Sequence, residues 1–437
     1  MPTTVIVFVV LYFWGIWRAF TRNPIWGLWP YSMSLYMSPA HNWFGVYLPN
    51  LRWSLLASLC TLISIYLHKA KLPIKTPCLS TGPAIIILCY TIWMWIQLIW
   101  ALDPEMHLDA SILLTKYLVL YYIVYTVLNT DENYFKFILF NILGSFYISR
   151  EVLNYSASGR VEGVGGPGIN DSNSLGMHLS VILILCGIIL LKKNTIFRNS
   201  LHWRICQGGV FISTAYIANA VVQTISRSAV LGLAAGGMLL LIIKHWSVKK
   251  KFYMYCVLAI MGLMYFAPYT FWDRLNTIKE AAQGGEVESS AYSRIVIGKA
   301  MIEMFQDNIL GNGHRGTVVL SPYYMPGEYL TTVDGSVGRA SHCTFLTTLT
   351  EQGVPGAILY LMMVFWTAKT ILTFRKDDPV IYLYFMGAAA SLAAIFIAGI
   401  FVDYLKAEVQ IYCFAMLASL KDYEKRRLIQ SYLEQKR

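Results

Sequence analysis

A histidine and an arginine lie immediately before one of the most apolar stretches of the chain. Residues 338–356 read GRASHCTFLTTLTEQGVPG, so Arg339 and His342 precede a run that continues to LYLMMVFWTAKTILTF. Histidine titrates near neutral pH when unperturbed, which suits His342 to take a proton from a sugar hydroxyl. A cap or interface role at a helix start is the alternative. Cys343 is not expected to act with His342 as a nucleophile pair, because adjacent helical residues point about 100° apart.

Two arginines elsewhere occupy places where a positive charge needs an explanation. Arg227, in QTISRSAVLGL, lies at a very short turn between apolar segments, where an ionisable group is costly unless it is paired or faces a polar cavity. Arg294 begins a predicted amphipathic loop helix that ends at 311–313, Gly-Asn-Gly, which is a helix stop rather than a phosphate cradle. The alternatives are an Arg227 that extends to lipid headgroups and a solvated Arg294.

A glycine-rich stretch, SGRVEGVGGPGINDSNSLGMHL, joins two further apolar segments. Its glycines permit close approach of the backbone to a ligand, and Arg160 supplies positive charge. Asn170, Asp171 and Asn173 supply polar groups before a helix start. A flexible loop with an N-cap is the alternative interpretation. Arg339 likewise either contacts a substrate or anchors to headgroups.

The composition is that of a protein with many membrane-spanning helices. Of 437 residues, 56% are hydrophobic and 14% are charged, and the mean hydropathy is +0.51. Several apolar runs are long enough to cross the roughly 30 Å hydrocarbon layer as helices. The first run lacks a basic region and a cleavage site, so we expect it to be retained as a helix. The eight cysteines are dispersed without a C-x-x-C pair and predict neither a metal site nor a disulfide framework.

The positive charge of the chain indicates membrane topology rather than nucleic-acid binding. The net charge is +11, but 22 of the 35 Lys and Arg residues fall in seven short segments, at 18–22, 68–81, 129–136, 192–205, 244–251, 374–379 and 421–437. These alternate with the other connections as expected if all seven face the cytoplasm. Of the 13 remaining cations, eight are arginine, whose rigid fork matches phosphate oxygens. The opposite face is therefore predicted to recognise phosphate.

Apolar periodicity and charge together predict an all-α integral membrane protein with 12–13 transmembrane helices. The predicted helices lie near 3–17, 24–38, 51–67, 82–101, 109–128, 133–149, 173–191, 206–224, 228–243, 252–269, 343–372, 380–400 and 406–420. The lower number applies if the proline-flanked 24–38 segment does not cross. We divide the chain into a transmembrane region (1–269), an outer loop region with amphipathic helices (270–342), further transmembrane helices (343–420) and a basic cytoplasmic tail (421–437).

Three patterns in order resemble the O-antigen ligase/polymerase superfamily, whose members act on glycans linked to undecaprenyl diphosphate. Arg227 with Leu231 is similar to the family's arginine followed four residues later by leucine. The segment 294–313 resembles its pattern of an arginine, an amphipathic helix and G-x-G. The third pattern runs from His342 to Gly356. Separately, the N-terminal NPIWGLWPYSMSLYMSPAHNWFGVYLPNLRWSLL resembles the O-glycosylation ligases of exosortase-type systems.

The most specific likeness is to the ligase signature, in which a histidine is followed by Asn, Ser or Gln, nine residues, Gly, two residues and Gly. His342, Gly353 and Gly356 keep this spacing. Cys343 departs from the usual polar residue, so the hydrogen-bonding role of that neighbour does not carry over.

The resemblance implies an inverting, metal-independent glycosyltransferase with a GT-C-like architecture and no cofactor. His342 would be the catalytic base, and Arg227, Arg294, Arg160 and Arg339 would bind substrate. The donor would be an undecaprenyl-diphosphate-linked glycan and the acceptor lipid A core, as in lipopolysaccharide biosynthesis. The site would face the periplasm from the bacterial inner (cytoplasmic) membrane.

Other functions remain open at this stage. A polymerase or a protein O-glycosylation ligase would use the same site with a glycan or protein acceptor. A lipid-linked glycan flippase or transporter is a further alternative, but transporters commonly show internal repeats and broken midplane helices, and neither is found in the sequence. The expected partners are the lipid-linked donor, an acceptor and membrane lipids, with no nucleic acid.

Overall fold

The chain folds almost wholly into helices. A computed structural model describes residues 2–73, 75–154, 161–242, 246–266, 272, 289–333, 336–374 and 378–435. Within these ranges, 6 helices are long and apolar enough to cross a membrane. The prediction of an all-α integral membrane protein is confirmed.

Fifteen α-helices lie in the described ranges. Helices α1 to α5 are Thr3–Thr21, Leu28–Tyr36, Trp53–Leu67, Gly82–Gln97 and Pro104–Val127. Helices α6 to α10 are Asp131–Leu153, Ser172–Leu191, Ser200–Gln223, Arg227–Leu240 and Trp246–Phe266. Helices α11 to α15 are Ser289–Asp307, Gly316–Tyr324, Thr344–Thr373, Pro379–Ala398 and Glu408–Gln435. Strands β1, Thr331–Val333, and β2, Ser336–Gly338, form an antiparallel hairpin.

The predicted crossing at 24–38 is interrupted. The side chain of Asn23 accepts a hydrogen bond from the Ile25 N–H and caps a 3₁₀ turn, Pro24–Gly27, before α2 begins. With 9 residues, α2 is about 13.5 Å long, less than half of the hydrocarbon thickness. This segment therefore favours twelve crossings over thirteen. The six long apolar helices are α1, α5, α7, α8, α13 and α14, and α3, α4 and α9 are shorter apolar helices.

The centre of the bundle is formed by α7 and α14, which are buried over most of their length. Helix α9 packs directly on α14 through two glycines one turn apart. A Cβ atom on Gly232 or Gly236 would lie 2.6 or 2.7 Å from the carbonyl oxygen of Ala394 or Ala390. Only glycine permits this approach, which is the small-residue packing common between membrane helices.

The connections predicted to face outward meet at one end of the bundle, called here the loop end. The Leu102 N–H donates to the Asn312 carbonyl (3.1 Å), and the Thr344 N–H donates to the Gly399 carbonyl (2.7 Å). Several of the basic segments lie at the opposite end, where Lys192 pairs with Asp131 at 3.0 Å. The predicted sorting of segments between two ends therefore agrees with the structure.

The outer loop supplies two helices and the hairpin at the loop end. Helix α11 confirms the predicted amphipathic pattern, because Ile297, Met301 and Met304 are buried. Leu346 at the start of α13 packs against the same cluster. The hairpin pairs Thr331 with Gly338 and was not predicted.

Candidate active site

His342 lies at the loop end, one residue before the N-cap of α13. The side chain is half-buried. Burial first, and then the positive charges of Arg339 and Arg294, lower the pKa of His342 to about 4. The structure therefore brings three of the predicted site residues together. At neutral pH the imidazole is uncharged and can accept a proton.

Arg294 reaches this site from the first turns of α11. The helix lies against α13 because its apolar face, including Ile297 and Met301, is buried there. Arg294 itself is half-buried, and it lies close enough to His342 for its positive charge to act on the imidazole. The amphipathic pattern that predicted the helix also explains how this arginine is positioned.

Arg339 follows the hairpin and is held through its backbone. Its N–H donates to Ser321 Oγ of α12 at 2.7 Å. Its side-chain Nε is buried, and within the described part of the chain no acceptor contacts it. A buried N–H without an acceptor is costly, so an anion that entered the site could supply the acceptor that this group lacks.

Arg227 is the first residue of α9, at the loop end. The preceding turn places Ile225 at φ 49°, a conformation that a β-branched residue rarely adopts. Such local strain is commonly found at functional sites. The hydroxyl of Ser226 accepts from the Ala229 N–H and caps the helix.

Tyr404 connects the start of α9 to the start of α13. Its hydroxyl bonds to Ser228 Oγ (3.2 Å) and donates to the Asn173 carbonyl (3.1 Å), while its N–H donates to Thr344 Oγ1 (2.9 Å). The starts of α7, α9 and α13 are thereby held around one buried tyrosine. This arrangement places Arg227 and His342 at the same end of the helix bundle. No sequence pattern identified Tyr404.

Arg160 lies outside the described residues. The part of its loop that is described turns back on itself, since the Gly163 N–H donates to the Asn170 carbonyl at 2.8 Å. Asp171 is the N-cap of α7 and accepts from the N–H groups of Asn173 and Ser174. The alternative interpretation, that this stretch contains the N-cap of a helix, is therefore confirmed for the N-cap.

The two glycine motifs, at 311–313 and 353–356, pack against each other. Gly353 has φ 69° and ψ −165°, which interrupts α13, and Pro355 lacks the N–H that would bond to the Glu351 carbonyl. The N–H groups of Asn312 and Gly313 instead donate to the carbonyls of Thr350 (3.2 Å) and Glu351 (2.8 Å). The Gly-Asn-Gly segment therefore completes the hydrogen bonds of the kinked helix, and it is not a phosphate cradle.

A second polar cluster lies beside this kink, and sequence reasoning missed it. His314 Nδ1 lies 3.2 Å from Glu351 Oε2, and Lys406 Nζ lies 2.9 Å from His314 Nε2. The His314 N–H donates to Nδ1 of His107 at 2.7 Å. The sequence does carry one signal for this cluster. Glu351 is an acidic residue within an apolar run, and a charge in such a place requires a partner.

Among the described residues, no group of three or more His, Cys, Asp and Glu side chains could hold a metal ion. The predicted metal independence stays a prediction.

One comparison bears on the family. Residues 212–361 match the family model described as O-Antigen ligase. The matched segment includes Arg227, Arg294, Arg339 and His342, and it confirms the resemblance to the O-antigen ligase/polymerase superfamily. No curated protein matches the chain.

Proposed function

Because residues 212–361 are O-antigen ligase-like, we propose that this membrane protein is an inverting glycosyltransferase with a lipid-linked donor. The donor is a glycan on undecaprenyl diphosphate, and the acceptor is a hydroxyl of lipid A core. The site faces the periplasm from the inner membrane. The observation that carries the proposal is a neutral His342 flanked by Arg339 and Arg294.

The reaction assigns one role to each type of residue. The acceptor oxygen attacks the anomeric carbon from the side opposite the diphosphate, and its proton passes to His342. The bond between the anomeric carbon and the diphosphate oxygen breaks, and its electron pair stays on the leaving group. Preorganised arginines stabilise that developing charge best where water is scarce. They supply this stabilisation without a divalent ion.

Donor binding strengthens the base. In the free protein burial, and then the two arginines, disfavour the imidazolium, which lowers the pKa of His342. A bound diphosphate offsets their charges and therefore raises the pKa of His342. The histidine becomes more basic when the donor is in place.

A transfer assay with purified protein tests the proposal. The protein receives a defined undecaprenyl-diphosphate glycan together with lipid A core, a protein acceptor, or donor alone. Transfer to lipid A core supports the ligase, transfer to protein an O-glycosylation ligase, and a ladder of lengthening lipid-linked glycan a polymerase. Movement of the donor across a membrane without transfer would instead favour a flippase.

The His342→Ala variant should lose at least about a hundredfold in turnover, since a positioned general base contributes that much or more. His202→Ala is the matched control, because His202 is exposed at the start of α8. Near-native turnover by His342→Ala would exclude its role as the base.

Metal dependence has a separate test. Loss of turnover with chelator, restored by magnesium, would exclude the metal-independent mechanism.

Arg227→Lys tests diphosphate binding by the guanidinium fork. Lysine keeps the charge but cannot bind two phosphate oxygens in the same planar geometry. We expect most turnover to be lost while the protein stays folded, as measured by transfer and by thermal unfolding. Full turnover by this variant would show that a point charge suffices.

A further inference from the structure

Helices α11 and α13 run side by side in the same direction, and three close approaches show their register. A Cβ atom built on Gly298 would lie 3.7 Å from Leu346 Cδ1. Further along, Thr350 Oγ1 donates to the Met301 carbonyl at 3.1 Å. Beyond the end of α11, the Val354 N–H donates to the Ile309 carbonyl at 2.9 Å.

This register decides whether Arg294 lies near His342. Arg294 is near the beginning of α11, and His342 immediately precedes α13, so their approach depends on how far one helix is shifted along the other. A shift of one residue moves a side chain by about 1.5 Å along the axis and turns it by about 100°. A residue that fixes the other end of α11 therefore also positions Arg294.

His314, Glu351 and Lys406 form such a fixed point. His314 follows the loop after α11, Glu351 lies shortly before the end of the first half of α13, and Lys406 lies between α14 and α15. Because the Lys406 ammonium can only donate, His314 Nε2 accepts, and the Nδ1–H donates to Glu351. A neutral imidazole thus joins a cation to a buried carboxylate.

Further polar and charged side chains surround His314, Glu351 and Lys406. Nδ1 of His107 on α5 accepts from the His314 N–H, and Asp103 pairs with Arg315 at 3.4 Å. Asp403 lies close enough to interact with Lys406, and burial raises the pKa of its carboxyl. Glu351 is only 4% exposed, so loss of its cationic partner would leave a buried charge uncompensated.

We propose that His314, Glu351 and Lys406 are positioning residues that set the register of α11 on α13 and so hold Arg294 beside His342. The role in turnover rests on the proposed function. The role in register does not, and it can be measured without any substrate.

Cross-linking measures the register directly. The reporter is Gly298→Cys with Leu346→Cys, joined by a short thiol-specific cross-linker, in a Cys343→Ser background that removes the neighbouring thiol. We expect efficient cross-linking in this parent and a severalfold lower yield after Glu351→Gln or Lys406→Met. In the transfer assay, without the reporter cysteines, each single change should lower turnover by about a hundredfold, as expected for a misplaced catalytic constellation.

The double variant Glu351→Gln with Lys406→Met is the matched control for charge. It removes both charges, and the side-chain amide oxygen introduced by Glu351→Gln can still accept from His314, so cross-linking and turnover should recover relative to either single variant. Unchanged cross-linking in both single variants would overturn the proposal, even if their thermal stability fell. If the parent transferred no glycan but cross-linking still responded, the proposed function alone would fail.

Discussion

His342 combines two requirements that usually oppose each other. A general base must be unprotonated before reaction, and it must also bind a proton well during reaction. Burial and the charges of Arg339 and Arg294 satisfy the first requirement by lowering the pKa of His342 to about 4. The negative charge of a bound diphosphate would satisfy the second. In the proposed mechanism, the same arginines therefore act on both the substrate and the base.

The pH dependence of kcat/KM tests this coupling, because it reports the ionisation of the free enzyme. Activity should fall as pH decreases through about 4, where His342 becomes protonated. Arg339→Gln removes one positive charge, so the pKa should rise and activity should be lost at a pH higher by roughly half to one unit. The measurement is transfer between about pH 3.5 and 7.

Arg22→Gln is the control for this pH profile. Arg22 is exposed beyond the end of α1, beside Asn23, which bonds to Asn133 near the start of α6, at the end opposite the site. Replacing Arg22 should not change the pH at which activity is lost in acid. If Arg339→Gln lost activity at the same pH as the parent, whatever its maximum activity, the proposed coupling between the arginines and His342 would be contradicted.

Cys343 occupies the N-cap of α13 without making a side-chain cap. A serine there offers an oxygen that can accept from the first free N–H groups of the helix. We expect Cys343→Ser to stabilise the protein by about 1 kcal/mol and to retain turnover. Thermal unfolding and the transfer assay measure the two effects, with Cys343→Ala as a variant that offers no cap. Loss of turnover in Cys343→Ser would indicate that the thiol itself has a role.

Individual residues differed in how far the sequence could place them. His342 and Arg339 could be selected because charge and titratable chemistry before an apolar run are visible in the sequence, and Arg294 because it begins an amphipathic pattern. Tyr404 could not, since one tyrosine among 29 has no distinguishing neighbour. Lys406 is one of the 13 cations outside the basic segments, but its contact with His314 depends on how three distant segments return to the same end.

At the scale of elements, the kink in α13 explains why the ligase-like signature has a glycine at position 353. Gly353 adopts a conformation that is essentially restricted to glycine, and a Cβ there would lie 2.3 Å from the Leu310 carbonyl carbon. Pro355 removes one helical hydrogen bond, and the loop after α11 supplies donors for the carbonyls left over. The two glycine motifs are therefore parts of one joint between the loop and the helix.

Gly353→Ala should break this joint. The strained backbone and the overlap with Leu310 should lower the free energy of unfolding by at least about 2 kcal/mol, and turnover should fall because α11 loses its contact with α13. Gly237→Ala is the control, since a Cβ there meets no atom within 4 Å among the described residues and alanine favours a helix. Thermal unfolding of both variants measures the difference. Equal stability would show that the backbone at 353 relaxes without cost.

The helices themselves were predicted with uneven success. Long apolar runs such as α7 and α14 were located closely, because apolar length alone defines a membrane helix. The segment 24–38 is less apolar than these runs, and the Asn23 cap and Pro24 close a 3₁₀ turn before α2 can begin. At 24–38 the local cap therefore decides where the helix begins. The joint at Gly353 likewise interrupts a segment that the sequence predicts to be one continuous helix.

Over the whole molecule, charge and architecture agree on two distinct ends. Arginines 227, 294 and 339 gather at the loop end, while Lys192 and Arg427 pair with Asp131 and Asp378 at the other. The positive-inside rule assigns the lysine-rich end to the cytoplasm. The proposed reaction requires this orientation, because the base and the arginines must face the periplasm.

Cysteine labelling tests the orientation of the whole chain. Val337 on the hairpin is 65% exposed, and Lys193 is exposed after α7, so each can be replaced by cysteine with little disturbance. In intact spheroplasts a membrane-impermeant maleimide should label Val337→Cys, and it should label Lys193→Cys only after lysis. The parent chain with its native cysteines gives the background. Labelling of Lys193→Cys before lysis, with Val337→Cys protected, would put His342 on the cytoplasmic side and exclude a periplasmic reaction.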